Sequence, residues 1–181
     1  MRYFAFKLTT VSAIVFSLGI CLGAACICLI PQMMCENLVL PVTEFTKKTD
    51  SAGVMIKFAV TAIKPILFMW VMGFTKISAY VNALTLTYRG CVLGVVTGAL
   101  VRCEGFLKGF YFWICGIMPQ NLLYIAILIF MAVLSYKFSC SGVKTKKEAA
   151  AFSVCLLIGA AGCLLCGFFD AFLTPILLNR G

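Results

Sequence analysis

The chain contains no histidine, and it has only six acidic residues against fifteen basic ones. Histidine is the commonest general base and a common metal ligand. Of the acids, Glu36, Glu44, Asp50, Glu104 and Glu148 lie in polar segments, and only Asp170 adjoins an apolar run. Water-activating chemistry has almost nothing to work with, so no catalytic residue, metal site or cofactor is expected. Charge of either sign is scarce: 12% of the residues are charged, about half the share of a soluble domain. Nucleic-acid binding needs basic residues gathered on one exposed face. Here the net charge of +9 is spread over short connections between apolar blocks, so no nucleic-acid partner is expected.

What the chain does have is hydrocarbon. It is 63% hydrophobic over 181 residues, with a mean hydropathy of +1.09. The apolar residues come in blocks of about 20, the length that crosses ~30 Å of bilayer. The expectation is an all-α polytopic integral membrane protein forming a single transmembrane helical domain over 1–181. Its five helices are placed at approximately 8–30, 57–74, 77–101, 109–136 and 149–172, with the lipid bilayer as their surroundings. The first run is longer than a signal-peptide core and reads as a signal anchor. Gly23-Ala-Ala-Cys26 resembles a lipoprotein cleavage box, but a glycine stands where an aliphatic residue is expected. Lys57 and Lys64 fall near the start of the second span, where long side chains can snorkel. The fourth run carries Pro119-Gln120-Asn121 near its middle. A proline there frees a carbonyl, which predicts a broken or kinked fourth helix; the adjacent amides can satisfy the groups released. Thr174-Pro175 stops the fifth span.

Five spans put the termini on opposite sides. With the N-terminus inside, the inner segments hold Arg2, Lys7, Lys76, Lys137, Lys144, Lys146 and Lys147, and the outer ones Lys47, Lys48, Arg102, Lys108 and Arg180. The excess of positive charge then lies inside. The expected topology is N-terminus cytoplasmic and C-terminus extracytoplasmic, with the loop 31–53 outside.

The third span is the least like a helix facing only lipid. Ser78, Asn82, Thr85 and Arg89 fall on one helical face. Gly90, Gly94 and Gly98 follow at four-residue spacing. Such a stripe lets helices approach backbone to backbone. It can serve packing within the chain, for instance against the small residues of the fifth span (Gly159, Cys163, Gly167; Gly162, Cys166), or the docking of a partner's helix. Arg89 at mid-membrane costs ~2.5–3.5 kcal/mol on insertion scales. Side chains on a helix lean toward its N-terminus. Arg89 therefore points down the Thr85–Asn82–Ser78 stripe, either snorkelling or sharing a buried polar site with Gln120 and Asn121. A direct pair with Asp170 needs a tilted geometry. Arg89, Gln120 and Asn121 could alternatively form the polar site of a small transporter, although the chain has no internal repeat. Cys163-Leu-Leu-Cys166 has redox spacing but no activating neighbour, and most of the eleven cysteines lie in apolar blocks, where they act as small hydrophobes.

Four segments in order resemble the stage II sporulation protein M family of endospore-forming bacteria. They are Leu67-Phe-Met-Trp-Val-Met-Gly-Phe74; Tyr88-Arg-Gly-Cys-Val-Leu-Gly-Val-Val-Thr-Gly-Ala-Leu100; Met118-Pro-Gln-Asn121; and Phe169-Asp-Ala-Phe-Leu-Thr-Pro-Ile-Leu177. The resemblance covers 63–178. Two features vary in that family: Asp170 is often Glu, and the basic residue at Arg89 can be Lys. Charge position there matters more than side-chain shape. The resemblance implies a non-enzymatic membrane scaffold at the sporulation septum. Such a scaffold recruits stage II sporulation proteins P and D, which remodel peptidoglycan during engulfment of the forespore.

Overall fold

The computed structural model describes residues 2–31, 51–141 and 146–173. They form α1 (Arg2–Leu29), α2 (Ser51–Gly73), α3 (Ser78–Glu104), a short α4 (Phe106–Phe112), α5 (Met118–Cys140) and α6 (Lys146–Phe168). A π-helical turn, Trp113–Ile117, joins α4 to α5, and another, Phe169–Leu173, ends α6. Among the described residues five helices are long and apolar enough to span: Lys7–Leu29, Met55–Gly73, Ser78–Glu104, Met118–Cys140 and Lys146–Phe168. The protein is an all-α polytopic membrane protein. Helices dominate because hydrocarbon offers backbone N–H and C=O groups no partner outside the segment itself.

Size and polarity, rather than hydrophobicity, decide which face turns inward. On α3 the buried residues include Ser78, Asn82, Gly90 and Gly94, while Tyr80, Leu84 and Tyr88 are 79%, 73% and 65% exposed. Lipid is as apolar as leucine, so burying leucine gains little; close backbone approach and satisfied polar groups do the work. The core at the centre of the bundle is built on Ile66, Met69, Leu86, Leu128, Met131, Cys163 and Cys166, all at most 1% exposed. A second cluster, Ile27, Ala99, Leu100 and Ile117, fills the Arg102 end.

α1 and α3 run side by side in parallel, with Gly19 at Gly90, Ile20 at Gly94 and Ile27 at Gly98. α2 returns to α3 through a tight turn in which Thr75 Oγ1 donates to Met72 O at 2.7 Å, and Ser139 Oγ donates to Thr75 O from α5. α5 runs antiparallel to α3, and α6 closes the bundle against α2 and α5. Near that turn Trp70, Phe74, Phe138 and Phe152 form an aromatic cluster, with Phe138 and Phe152 stacked at 4.6 Å. Gly73 lies under the Phe152 ring, where a Cβ would sit 2.8 Å from the ring edge.

Several boundaries differ from those read in the sequence. α2 begins at Ser51 rather than 57, and residues 32–50 lie outside the described residues. Lys137 lies inside α5, which continues to Cys140. The fourth run is broken, as its sequence predicts, but the break comes before Pro119. Gly109 and Phe110 belong to α4, and the spanning segment starts at Met118. Pro119 occupies the first turn of α5, where its missing N–H is least harmful. Gly105 makes the corner between α3 and α4 with φ 81°, a backbone conformation that favours glycine.

Candidate functional site

The glycine stripe of α3 packs against a second small-residue stripe, on α1. A Cβ placed on Gly90 would overlap Phe16 O, and one on Gly94 would overlap Ile20 O. From the other side, a Cβ on Gly19 would press on Thr87 O, and one on Gly23 would overlap Cys91 O. The two backbones touch, and neither helix has room there for even one methyl group. Gly98 receives the Ile27 side chain. The partner of the stripe is therefore α1, not the small residues of the fifth span. Gly159 and Gly162 of α6 instead accept side chains: Ile66, Met131 and Ile127 surround Gly159, and Ile127 Cδ1 faces Gly162.

The polar face of α3 divides in two. At the Ser78 end it forms a directed chain of hydrogen bonds. Asn82 Nδ2 donates to Ser78 Oγ at 3.1 Å and to Ala132 O at 3.2 Å. Ser78 and Ser135 hydroxyls meet at 2.7 Å, and Ser135 Oγ donates to Met69 O at 2.8 Å. The Ser135 proton is committed to Met69, so Ser78 is the donor to Ser135. The chain ties α3, α5 and α2 together with all three side chains buried. Asn82 Oδ1 is buried without a partner among the described residues. Thr85 contributes nothing between helices; its hydroxyl bonds to Val81 O in the turn before it.

Further along, half-buried Arg89 does not continue down the stripe. Its Nη2 donates to Thr61 O of α2 at 3.2 Å, and the guanidinium lies over the Tyr124 ring, 5.4 Å from the centroid. Tyr124 OH in turn donates to Ala62 O at 3.1 Å. Thr61 and Ala62 sit in the middle of α2, so the charge stays near mid-span instead of moving toward the Lys76 end. Arg89 also lines a cavity of about 230 Å³ among α1, α3 and α5, with Phe16, Val92, Gln120, Asn121 and Tyr124 among its walls. Asn121 Nδ2 donates to Ile117 O at 2.8 Å, holding the carbonyl at the π turn. Gln120 Oε1 is buried without a partner among the described residues. The structure thus gathers Arg89, Gln120 and Asn121 at one cavity and leaves Asn82 in the separate serine network. The Asp170 backbone falls in the second π turn, but its side chain and Pro175 lie outside the described residues.

Cys163 and Cys166 are 1% and 0% exposed in the central core, where no external thiol can reach them. Among the described residues no group of three or more His, Cys, Asp or Glu could hold a metal ion. At the Arg102 end, Arg102 Nη1 donates to Ile27 O at 2.8 Å and Ile30 O at 2.7 Å. It caps the C-terminus of α1, where a cation suits the helix dipole. Sequence reasoning missed the α1 half of the glycine contact, although Gly19-Ile-Cys-Leu-Gly23 shows the small-x3-small spacing. It also missed Ser135, a lone hydroxyl in an apolar run, and Tyr124, which nothing in the local pattern marks.

No curated protein and no solved structure matches the chain. The family model described as stage II sporulation protein M matches residues 12–175, most of the chain. The match takes in both glycine stripes, the serine network and the Arg89 cavity, and on that extent the chain belongs to the stage II sporulation protein M family.

Proposed function

We propose that this protein is a membrane scaffold that recruits and positions peptidoglycan hydrolases at the sporulation septum during engulfment of the forespore. The partners proposed are stage II sporulation proteins P and D. The N-terminus is placed in the cytoplasm and the C-terminus outside. The family match over 12–175 carries the reading. The chemistry of the interior supports it. The serine–asparagine network, the paired glycine stripes and the Arg102 cap all join one helix to another. A rigid anchor needs such joints. The test is recovery of the two hydrolases with the affinity-tagged protein. They co-purify with the wild type and are lost with Gly94→Leu, which forces α1 and α3 apart. Unchanged recovery from Gly94→Leu, at an unchanged level of the protein, would count against the reading.

The cavity at Arg89 favours one second reading, a small transporter using Arg89, Gln120 and Asn121 as its polar site. Flux of a small anion into proteoliposomes, abolished by Arg89→Ala, would support it over the scaffold.

A further inference from the structure

Two cations stand in the middle of the membrane with no carboxylate to meet them among the described residues. Arg89 has one hydrogen bond, to a main-chain carbonyl, and one ring contact. Lys64 is exposed on α2, three residues beyond Thr61, and its ammonium makes no hydrogen bond or ion pair among the described residues. Because the span runs Met55–Gly73, Lys64 falls at its middle and not near its start as the sequence suggests, nine residues from Gly73, about 13 Å along a helix rising 1.5 Å per residue. That is close to half the depth of the hydrocarbon. The described acidic side chains, Glu104 and Glu148, lie at helix ends, far from this level. Beside Arg89, the cavity of about 230 Å³ has Gln120 on its wall, its Oε1 without a partner among the described residues, and Val92 at its wall is 40% exposed.

We propose that the flank of α3 at the mouth of the Arg89 cavity, with Lys64 of α2 at a similar depth, docks a partner's membrane-spanning helix that carries an Asp or Glu near its midpoint. The carboxylate seats in the cavity beside the guanidinium. Arg89 has N–H groups left to donate to it. Lys64, about one helical turn from Thr61 on α2, supplies a second positive charge. Charge and depth together select this occupant. A lipid headgroup belongs at the interface, ~15 Å above this level. A freely soluble anion would have to leave water for walls made largely of Val92, Leu93, Ile125 and Leu128. A helix brings its own hydrocarbon coat and places one acid at mid-depth, where an unpaired charge is most costly and a paired one gains most. The inference deepens the scaffold reading and rests on it for the partner's biological identity, though not for its chemistry.

The experiment uses the full chain in phosphatidylcholine vesicles, donor-labelled at its N-terminus. It is mixed with acceptor-labelled Leu/Ala spanning peptides carrying either one central Glu or one central Gln. Energy transfer reports association. The Glu peptide binds about tenfold more tightly than the Gln peptide, the scale of a close charge pair. Arg89→Gln removes that preference, and Lys64→Gln reduces it. Val92→Trp narrows the cavity mouth while keeping the charge, and it also lowers binding of the Glu peptide, which guards against a misfolded arginine variant. Equal binding of the two peptides to the wild type overturns the proposal. So does loss of the Glu preference when anionic lipid replaces part of the phosphatidylcholine, because the site then belongs to headgroups. No hydrolase is present, so a failure here is separate from a failure of hydrolase recruitment.

Discussion

Replacing Ser135 by Ala removes the donor to Met69 O and the acceptor of Ser78 in one step. Both surviving groups remain buried. Hydrogen bonds between membrane helices average ~0.6 kcal/mol and reach ~1.7. Ser135→Ala is therefore expected to destabilise the bundle by about 1 kcal/mol in a denaturant titration in detergent micelles. Thr85→Val, at a hydroxyl that serves only its own helix, is expected to change stability by less than ~0.5 kcal/mol. Equal losses from the two variants would contradict the assigned network. Arg89 teaches a related point. Its type and position in the sequence announce an intramembrane charge, and Gln120 and Asn121 announce amides. Only the antiparallel alignment of α5 on α3 brings them to one cavity, and only the depth of Thr61 on α2 keeps the guanidinium there instead of at the Lys76 end.

At the scale of the element, the contact between α1 and α3 is backbone on backbone. Gly19→Ala and Gly90→Ala each push the same two surfaces apart. Overpacking typically costs ~1–3 kcal/mol. Once one methyl has separated the helices, the second meets less resistance. The double variant is expected to lose less stability than the sum of the singles, by ~1 kcal/mol or more in a double-mutant cycle. Strict additivity would mean that the two glycines do not share one interface. The helices themselves were legible from the apolar blocks, and so was the break in the fourth. Its position was not. Pro119 draws attention as the residue that cannot continue a helix, but a proline is well tolerated in a first turn, and the irregularity falls on the π turn Trp113–Ile117 just before it. The partner of the glycine stripe was not legible from α3 alone. Small residues announce close approach without saying to what, and both α1 and α6 carry them.

For the molecule as a whole, the excess of basic residues in segments placed inside predicts where each connection lies. An alkaline phosphatase fused at Gly142 is expected to be inactive, and an active fusion there would reverse the topology. Among the described residues the interior holds an intramolecular glycine contact, a hydrogen-bonded three-helix junction and Arg89 beside a cavity. That inventory suits a protein whose task is to hold others in the membrane. The most direct measurement is the position of fluorescently tagged stage II sporulation proteins P and D in sporulating cells that lack this protein. Both hydrolases should still be made but fail to concentrate at the septum, with engulfment arrested. Hydrolases gathered normally at the septum, with engulfment completed, would contradict the scaffold function.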